Sequence, residues 1–380
     1  MKLILAPDSF KESMSARTAA GALERGVRSA LPHVRTVLLP IADGGEGTLD
    51  ALVAATSGRI LRASVTGPLG EPVQARYGFL GDGETAVVEM AEASGLHLVP
   101  KGRRDPRVTT TRGTGELVRN ALDAGARALI VAIGGSATND AGAGALQALG
   151  AKLLDEAGGP IGPGGGSLAS LSRIAFDGLD PRLASTRIRV ACDVTNTLCG
   201  PSGASAVFGP QKGATPKMVA DLDAGLRRFA EILRRDTGKD VLEVPGGGAA
   251  GGLGAALVAC GGSLVPGIDL VLDAVGFDTH LEGTDLVLTG EGRVDGQTPG
   301  GKVIAGLVAR AARAGVPVVA FAGSLVPGYE PLLERGLTAV FPILSGPSSL
   351  EEALAGGEAN LERAARAVAR LLGRFISSPS

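Results

Sequence analysis

At 380 residues with 44% hydrophobic content, the chain is long enough for two cores, since one domain typically takes about 100–150 residues. A formal charge of −2, from 37 basic and 39 acidic residues, leaves no global field to attract nucleic acid or an anionic membrane. Three cysteines and three histidines argue against a disulfide framework or a zinc site of ordinary spacing, and 3% aromatic residues offer no stacking platform for bases.

The N-terminus starts on a strand-like run at residues 2–6 without a signal-like apolar segment, and no 18-residue apolar stretch follows, so a cytoplasmic location is expected. Ser15 can cap a helix carrying Ala19, Leu23, Val27 and Ala30 on one face, stopped by Pro32. Residues 34–41 read as a second strand, followed by a glycine-rich turn and a helix through Leu49, Leu52 and Val53 that ends near Gly58. From Arg59 the rhythm changes to short alternating runs separated by glycine turns, the pattern of antiparallel strands. Thr114 is then expected to cap a helix through Ala124, residues 128–133 to form a buried strand, and 141–149 a helix. Another strand is expected at 188–192. Thr215-Pro216 opens an amphipathic helix with Met218, Leu222, Phe229, Ile232 and Leu233 inward. The last third alternates again: strand 285–289, a helix from Lys302, strands 317–322 and 337–343, and a final helix capped by Ser348 with Glu351 three residues on.

Strict alternation of this kind indicates a parallel sheet with helices on its faces. The expected fold is therefore α/β with two α/β domains. One has a parallel sheet built from both chain ends, residues 1–58 plus 275–380; the other, residues 59–274, is a mixed-sheet domain inserted into it.

Ligands of open α/β sheets collect at the carboxyl ends of strands. Five such ends carry carboxylates here: Asp8 with Lys11, Asp43-Gly44-Gly45-Glu46, residues 134–140 (GGSATND), Asp193, and Glu291 to Asp295. A glycine followed by Asp or Ser is ordinary capping chemistry when taken singly. Together, glycine turns that present backbone N–H groups, carboxylates and lysines make up the parts of phosphoryl transfer. Residues 296–302 (GQTPGGK) have P-loop spacing, but Val303 stands where the loop needs Ser or Thr for the metal. Gly246, Gly248 and Gly251 satisfy a dinucleotide pattern, with a tightly packed small-residue helix as the plain alternative. Cys192 and Cys199 read as structural thiols.

Seven blocks in order, APDSFKESMSA (6–16), ADGGEGT (42–48), GGSATNDAGAGALQALG (134–150), CDVTN (192–196), FGPQKGA (208–214), GGGAAGGLGAAL (246–257) and TGEGRVDGQTPGGK (289–302), resemble the bacterial glycerate kinase family. The sequence departs from the family pattern at Glu12, Ala141 and Thr197. The resemblance implies two α/β domains, one Rossmann- or flavodoxin-like, with the active site in the cleft between them. It also implies ATP and Mg²⁺, D-glycerate as acceptor, and 2-phosphoglycerate as the favoured product. The residues and the resemblance together assign Gly134, Gly135, Ser136, Thr138, Asn139 and Lys212 to ATP, its phosphates lying at a helix N-terminus. Lys11 and Lys302 neutralise the transferred group. Asp43, Gly44, Gly45, Glu46 and Arg293 fall to substrate, with Asp43 and Glu46 also candidates for Mg²⁺. Asp193 and Asp295 both stand for the catalytic base. A nicotinamide-dependent reductase of a small hydroxy acid and a non-catalytic hydroxy-acid binding protein are the alternatives.

Overall fold

The computed structural model describes residues 1–41, 47–300 and 303–376. Its strands are β1 (Lys2–Leu5), β2 (Arg35–Leu38), β3 (Arg59–Thr66), β4 (Pro72–Phe79), β5 (Thr85–Glu89), β6 (Ala128–Ala132), β7 (Lys152–Leu154), β8 (Arg173–Ala175), β9 (Arg187–Ala191), β10 (Ser263–Val265), β11 (Leu286–Val294), β12 (Val318–Leu325) and β13 (Leu337–Pro342). The chain divides into two units, Met1–Asp43 with Val271–Ser380, and Gly44–Leu270. Both boundaries lie upstream of the positions read from the sequence, 58/59 and 274/275.

The end-built unit holds a parallel sheet in the order β13-β12-β11-β1-β2. A parallel sheet must be covered on both faces, and its strands read accordingly as apolar runs. Leu3, Leu5, Leu286, Leu288, Val319 and Phe321 pack on one side against Ala19, Leu23 and Val27 of the helix Ala16–Ala30 and Leu361, Ala365 and Ala369 of the helix Gly357–Ile376. Gly26 lets these two helices touch, because a side-chain carbon there would lie 2.4 Å from the Glu362 carbonyl oxygen. Ser15 caps the first helix by accepting from the Thr18 N–H, as its sequence indicates. The expected cap at Ser348 falls one residue later: Ser349 and Glu352 form the reciprocal pair, over a short helix Leu350–Ala355 that precedes the terminal one.

In the other unit the order is β10-β9-β6-β5-β4-β3. The pairs from β10 to β5 are parallel and those from β5 to β3 antiparallel, which gives the mixed sheet expected. Ala86, Val88, Leu129, Val131, Ile188 and Val190 face a core completed by Leu117, Val118 and Ala121 of the helix Arg112–Asp123 and Leu253 and Leu257 of the helix Leu253–Ala259. A second core gathers the hairpin β7-β8 and the helix Pro216–Thr237 through Leu226, Phe229 and Leu233. Thr215 caps that helix and Pro216 opens it, as read. Thr114, expected as a cap, lies inside its helix; the cap position is Thr111, whose hydroxyl is engaged elsewhere.

The helix Thr48–Ala55 belongs to this second unit rather than to the end-built one. Its Leu49 and Val53 press on β4 at Gly78, where a side-chain carbon would come within 2.8 Å of both, and its Leu49 N–H donates to Glu89 at 2.7 Å. Burial of those apolar groups on β4 and β5 fixes the assignment. Among the described residues no helix is long and apolar enough to cross a membrane.

Candidate active site

In the end-built unit the chain leaves β1 toward β2 on one side and runs from β11 through β12 to β13 on the other. The point where the direction reverses is therefore the β1/β11 junction, and in open α/β sheets ligands bind at such a point, beyond the carboxyl ends of the strands. The Asp8 N–H donates to the Gly290 carbonyl at 2.8 Å, and Asp8 Oδ1 accepts from the Ser9 N–H at 2.6 Å. The following turn passes close over β11: a side-chain carbon on Gly292 would lie 3.2 Å from the Lys11 nitrogen. Lys11 and Arg293 are both exposed at this junction. Arg293 Nε pairs with Asp295 Oδ2 at 2.8 Å, while Asp295 Oδ1 accepts from the Gln297 N–H at 2.9 Å. Beneath them the fully buried Thr298 donates its hydroxyl to Glu291 at 3.0 Å and accepts from the Asp295 N–H at 3.0 Å. Three of the expected site residues thus meet at one strand junction. Lys302, Asp43, Gly44, Gly45 and Glu46 lie outside the described residues.

In the inserted unit, register places Glu89 opposite Ala132 and Ala132 opposite Ala191. The segments after β5, β6 and β9 accordingly leave one edge of the sheet together. After β6, the turn at residues 134–136 is tied to the segment behind β5 by Leu96 N–H to the Gly135 carbonyl (2.8 Å) and Ala137 N–H to the Ser94 carbonyl (2.9 Å). Gly134 and Gly135 are exposed. Gly135 has φ of +71°, which favours glycine. Asp193, after β9, is also exposed, and its Oδ1 accepts from the Gly267 N–H at 2.8 Å.

The helix N-terminus expected to meet phosphates is occupied by the protein itself. The helix runs only over Ala143–Ala148, and the buried Asp140 carboxylate takes the Gly142 N–H (3.1 Å), the Gly144 N–H (3.3 Å) and both the N–H and hydroxyl of Thr111 (2.9 Å each). Burial raises the Asp140 carboxyl above the usual carboxylate range even so. Thr138 and Asn139 are fully enclosed, Asn139 donating to Ser205 Oγ at 2.9 Å. Lys212 is 1% exposed and donates to the Thr138 carbonyl at 2.6 Å. Burial pulls its ammonium down to about 7 against the charge of Asp140. Of the six residues assigned to ATP, only Gly134, Gly135 and the edge of Ser136 reach the surface.

The glycines at 246–252 serve close packing. A side-chain carbon on Gly251 would stand 2.1 Å from the Thr138 carbonyl oxygen, and one on Gly248 2.2 Å from that of Thr197. Burial pushes the Cys199 thiol up to about 12 and also raises that of Cys192, in keeping with structural thiols. Among the described residues no three His, Cys, Asp or Glu side chains gather to hold a metal ion.

Sequence reasoning passed over Glu89. It ends β5 at 4% exposure, and burial pushes its carboxyl up to about 7. The charges of Glu92 and Asp50 add to the push, and the Leu49 N–H and Arg76 oppose it. Arg76 itself bridges Glu92 (2.6 Å) and Asp50 (3.1 Å). The available signal was a carboxylate closing the apolar run Val87-Val88-Glu89.

A sequence model described as the glycerate kinase family matches residues 3–373. The chain is 53% identical to a glycerate kinase of Bacillus subtilis (strain 168), covering 97% of each chain. It is 52% identical to a glycerate 2-kinase of Escherichia coli (strain K12), covering 98% of each. A crystal structure described as that of a glycerate kinase 2 from Salmonella typhimurium LT2 superposes with a TM-score of 0.91 at 51% identity, covering 100% of both chains.

Proposed function

The chain belongs to the glycerate kinase family and so is a phosphotransferase, and from that premise we propose that it moves the γ-phosphoryl group of ATP onto D-glycerate, giving 2-phosphoglycerate and ADP. The near-full-length likeness to the glycerate 2-kinase carries this reading, and the strand-end geometry supports it. The turn at residues 134–136, exposed at Gly134 and Gly135, offers backbone N–H groups to the phosphates without a helix dipole. Lys11 and Lys302 neutralise charge on the transferred group, and Arg293, steadied by Asp295, takes the acceptor's carboxylate.

Of the two candidate bases, Asp193 fits better. It is exposed just past β9, on the same end of the sheet as the turn at residues 134–136, whereas Asp295 orients Arg293 and the following turn. Asp193 takes the proton of the attacking hydroxyl as its oxygen bonds to the γ-phosphorus and the bond to the bridging β,γ-oxygen breaks. Mg²⁺ fits such a donor set, because it binds through one or two carboxylates plus substrate phosphates rather than a full protein cage. Asp43 and Glu46 would hold it, and it would neutralise the phosphate oxygens.

Phosphorus NMR of the product made from ATP, Mg²⁺ and D-glycerate tests the reading. A phosphoester split by the single C2 proton into a doublet is expected. A triplet from two C3 protons overturns the position of transfer, and the absence of any phosphoester overturns the activity.

A further inference from the structure

Behind the exposed turn at residues 134–136, several costly features converge on one short stretch of backbone. Lys212 ends the turn Pro210–Lys212 and is buried at 1% exposure. Removing an ammonium from water is among the most expensive burials a protein makes, and among the described residues its acceptor is the Thr138 carbonyl alone. Asn139, next in the chain, keeps a buried Oδ1 with no hydrogen-bond partner among the described residues. Ala141 and Ala250 both adopt left-handed backbone, at φ of +54° and +53°, and they flank the bond from the Ala141 N–H to the Gly251 carbonyl at 2.9 Å. Strain of this kind persists only where the surroundings over-determine it, and it concentrates at functional sites. The segment also has a second tether, from the Thr109 hydroxyl to the Ala137 carbonyl at 2.8 Å.

We propose that Lys212 is a positioning residue for phosphate transfer: its buried ammonium draws the Thr138 carbonyl inward, which fixes the backbone of residues 134–136 in the outward-facing turn that meets ATP. This rests on the reading of that turn as the phosphate site. A hydrocarbon side chain of similar length would fill the space more cheaply and would leave the carbonyl untethered. The charged groups beside Lys212 are Asp140, whose oxygens accept from Thr111, Gly142 and Gly144, and Arg104, whose Nη1 donates to the Gln211 carbonyl at 3.3 Å. Asp140 and Lys212 therefore fasten neighbouring residues of one segment through separate bonds.

Steady-state kinetics of Lys212→Met and Gly135→Ala test the inference. Lys212→Met keeps the stem and removes the donors. It is expected to lower kcat/KM for ATP by about 10²-fold, the cost of misplacing a binding group by about an ångström, with KM for glycerate unchanged. Ethylammonium added to Lys212→Ala should restore part of the loss, which a purely space-filling role would not allow. Gly135→Ala places a side chain on a φ of +71° in open space, its nearest neighbour being Ala91 Cβ at 3.6 Å, and should raise KM for ATP. If Gly135→Ala leaves KM for ATP at the wild-type value, the phosphate-site reading is overturned. If Gly135→Ala raises it while Lys212→Met does not lower kcat/KM for ATP, the positioning role alone is overturned. Should Lys212→Met not fold, amide exchange of the wild type decides: protection of residues 138–141 without nucleotide supports the role, and free exchange there refutes it.

Discussion

Replacing Glu89 with Gln should remove a pH-dependent penalty from the inserted unit. The carboxyl lies at 4% exposure, and its burial raises it from the ordinary 4.5 to about 7. The folded state therefore holds the proton more tightly than the unfolded chain, so the stability linked to it is full below pH 4.5 and is lost as pH rises through 7. The difference between the two values corresponds to about 3 kcal/mol. In Glu89→Gln the side-chain oxygen can still accept from the Leu49 N–H, and no charge develops at any pH. Scanning calorimetry of both proteins at pH 5 and pH 8 measures the effect. The two should unfold at similar temperatures at pH 5. At pH 8 the variant should be the more stable by up to about 3 kcal/mol, at about 2–4 °C for each kcal/mol in a unit of this size. Parallel pH dependences in the two proteins would refute the reasoning, since they would mean that Glu89 titrates alike folded and unfolded.

Asp193→Asn should lower kcat by about 10²- to 10⁴-fold, the usual worth of a positioned base, with an unchanged circular dichroism spectrum because the amide oxygen can still accept from Gly267; near-normal turnover would remove Asp193 from that role. Thr298→Val deletes a buried hydroxyl that serves both Glu291 and the Asp295 N–H. Urea denaturation should register a loss of about 1–3 kcal/mol, and initial-rate assays a higher KM for glycerate as Arg293 loses its support. Gly251→Ala drives a side-chain carbon to 2.1 Å from the Thr138 oxygen. A drop of about 3 kcal/mol or more is expected from backbone strain and overlap together, read as a lower melting temperature.

The alternation of apolar runs with helical stretches carried the architecture, because period and punctuation are local properties of the chain. The helix Thr48–Ala55 was harder to place: nothing in its eight residues says which sheet its Leu49 and Val53 will cover, and only the bare surface at Gly78 decides. Likewise Thr111 rather than Thr114 sits at a helix start, and the choice is tied to a carboxylate from another segment. Strand ends were legible from the apolar runs that precede Lys11, Asp193 and the glycines at 134–135, but the strand expected at 285–289 runs on as β11 to Val294, so Arg293 lies inside it and Asp295 just past its end. Depth was not legible. The run Gly134 to Asp140 reads as one polar loop, yet its first half is at the surface and its second half is sealed inside, with Asp140 serving its own helix. Lys212 and Glu89 show the same limit. Burial of a charged side chain depends on what packs over it, which the neighbouring letters do not encode.

Because β1 is hydrogen-bonded between β2 and β11, with Leu3 registered to Leu286, its second neighbour is made only after the whole stretch Gly44–Leu270 has been synthesised. The contiguous stretch Gly44–Leu270 can complete its own sheet in that interval, as domains do when they emerge in order. Until β11 arrives, one edge of β1 stays open to pairing with other chains. Only then can the parallel sheet close, so strands made after an entire second unit seal a sheet that β1 and β2 began.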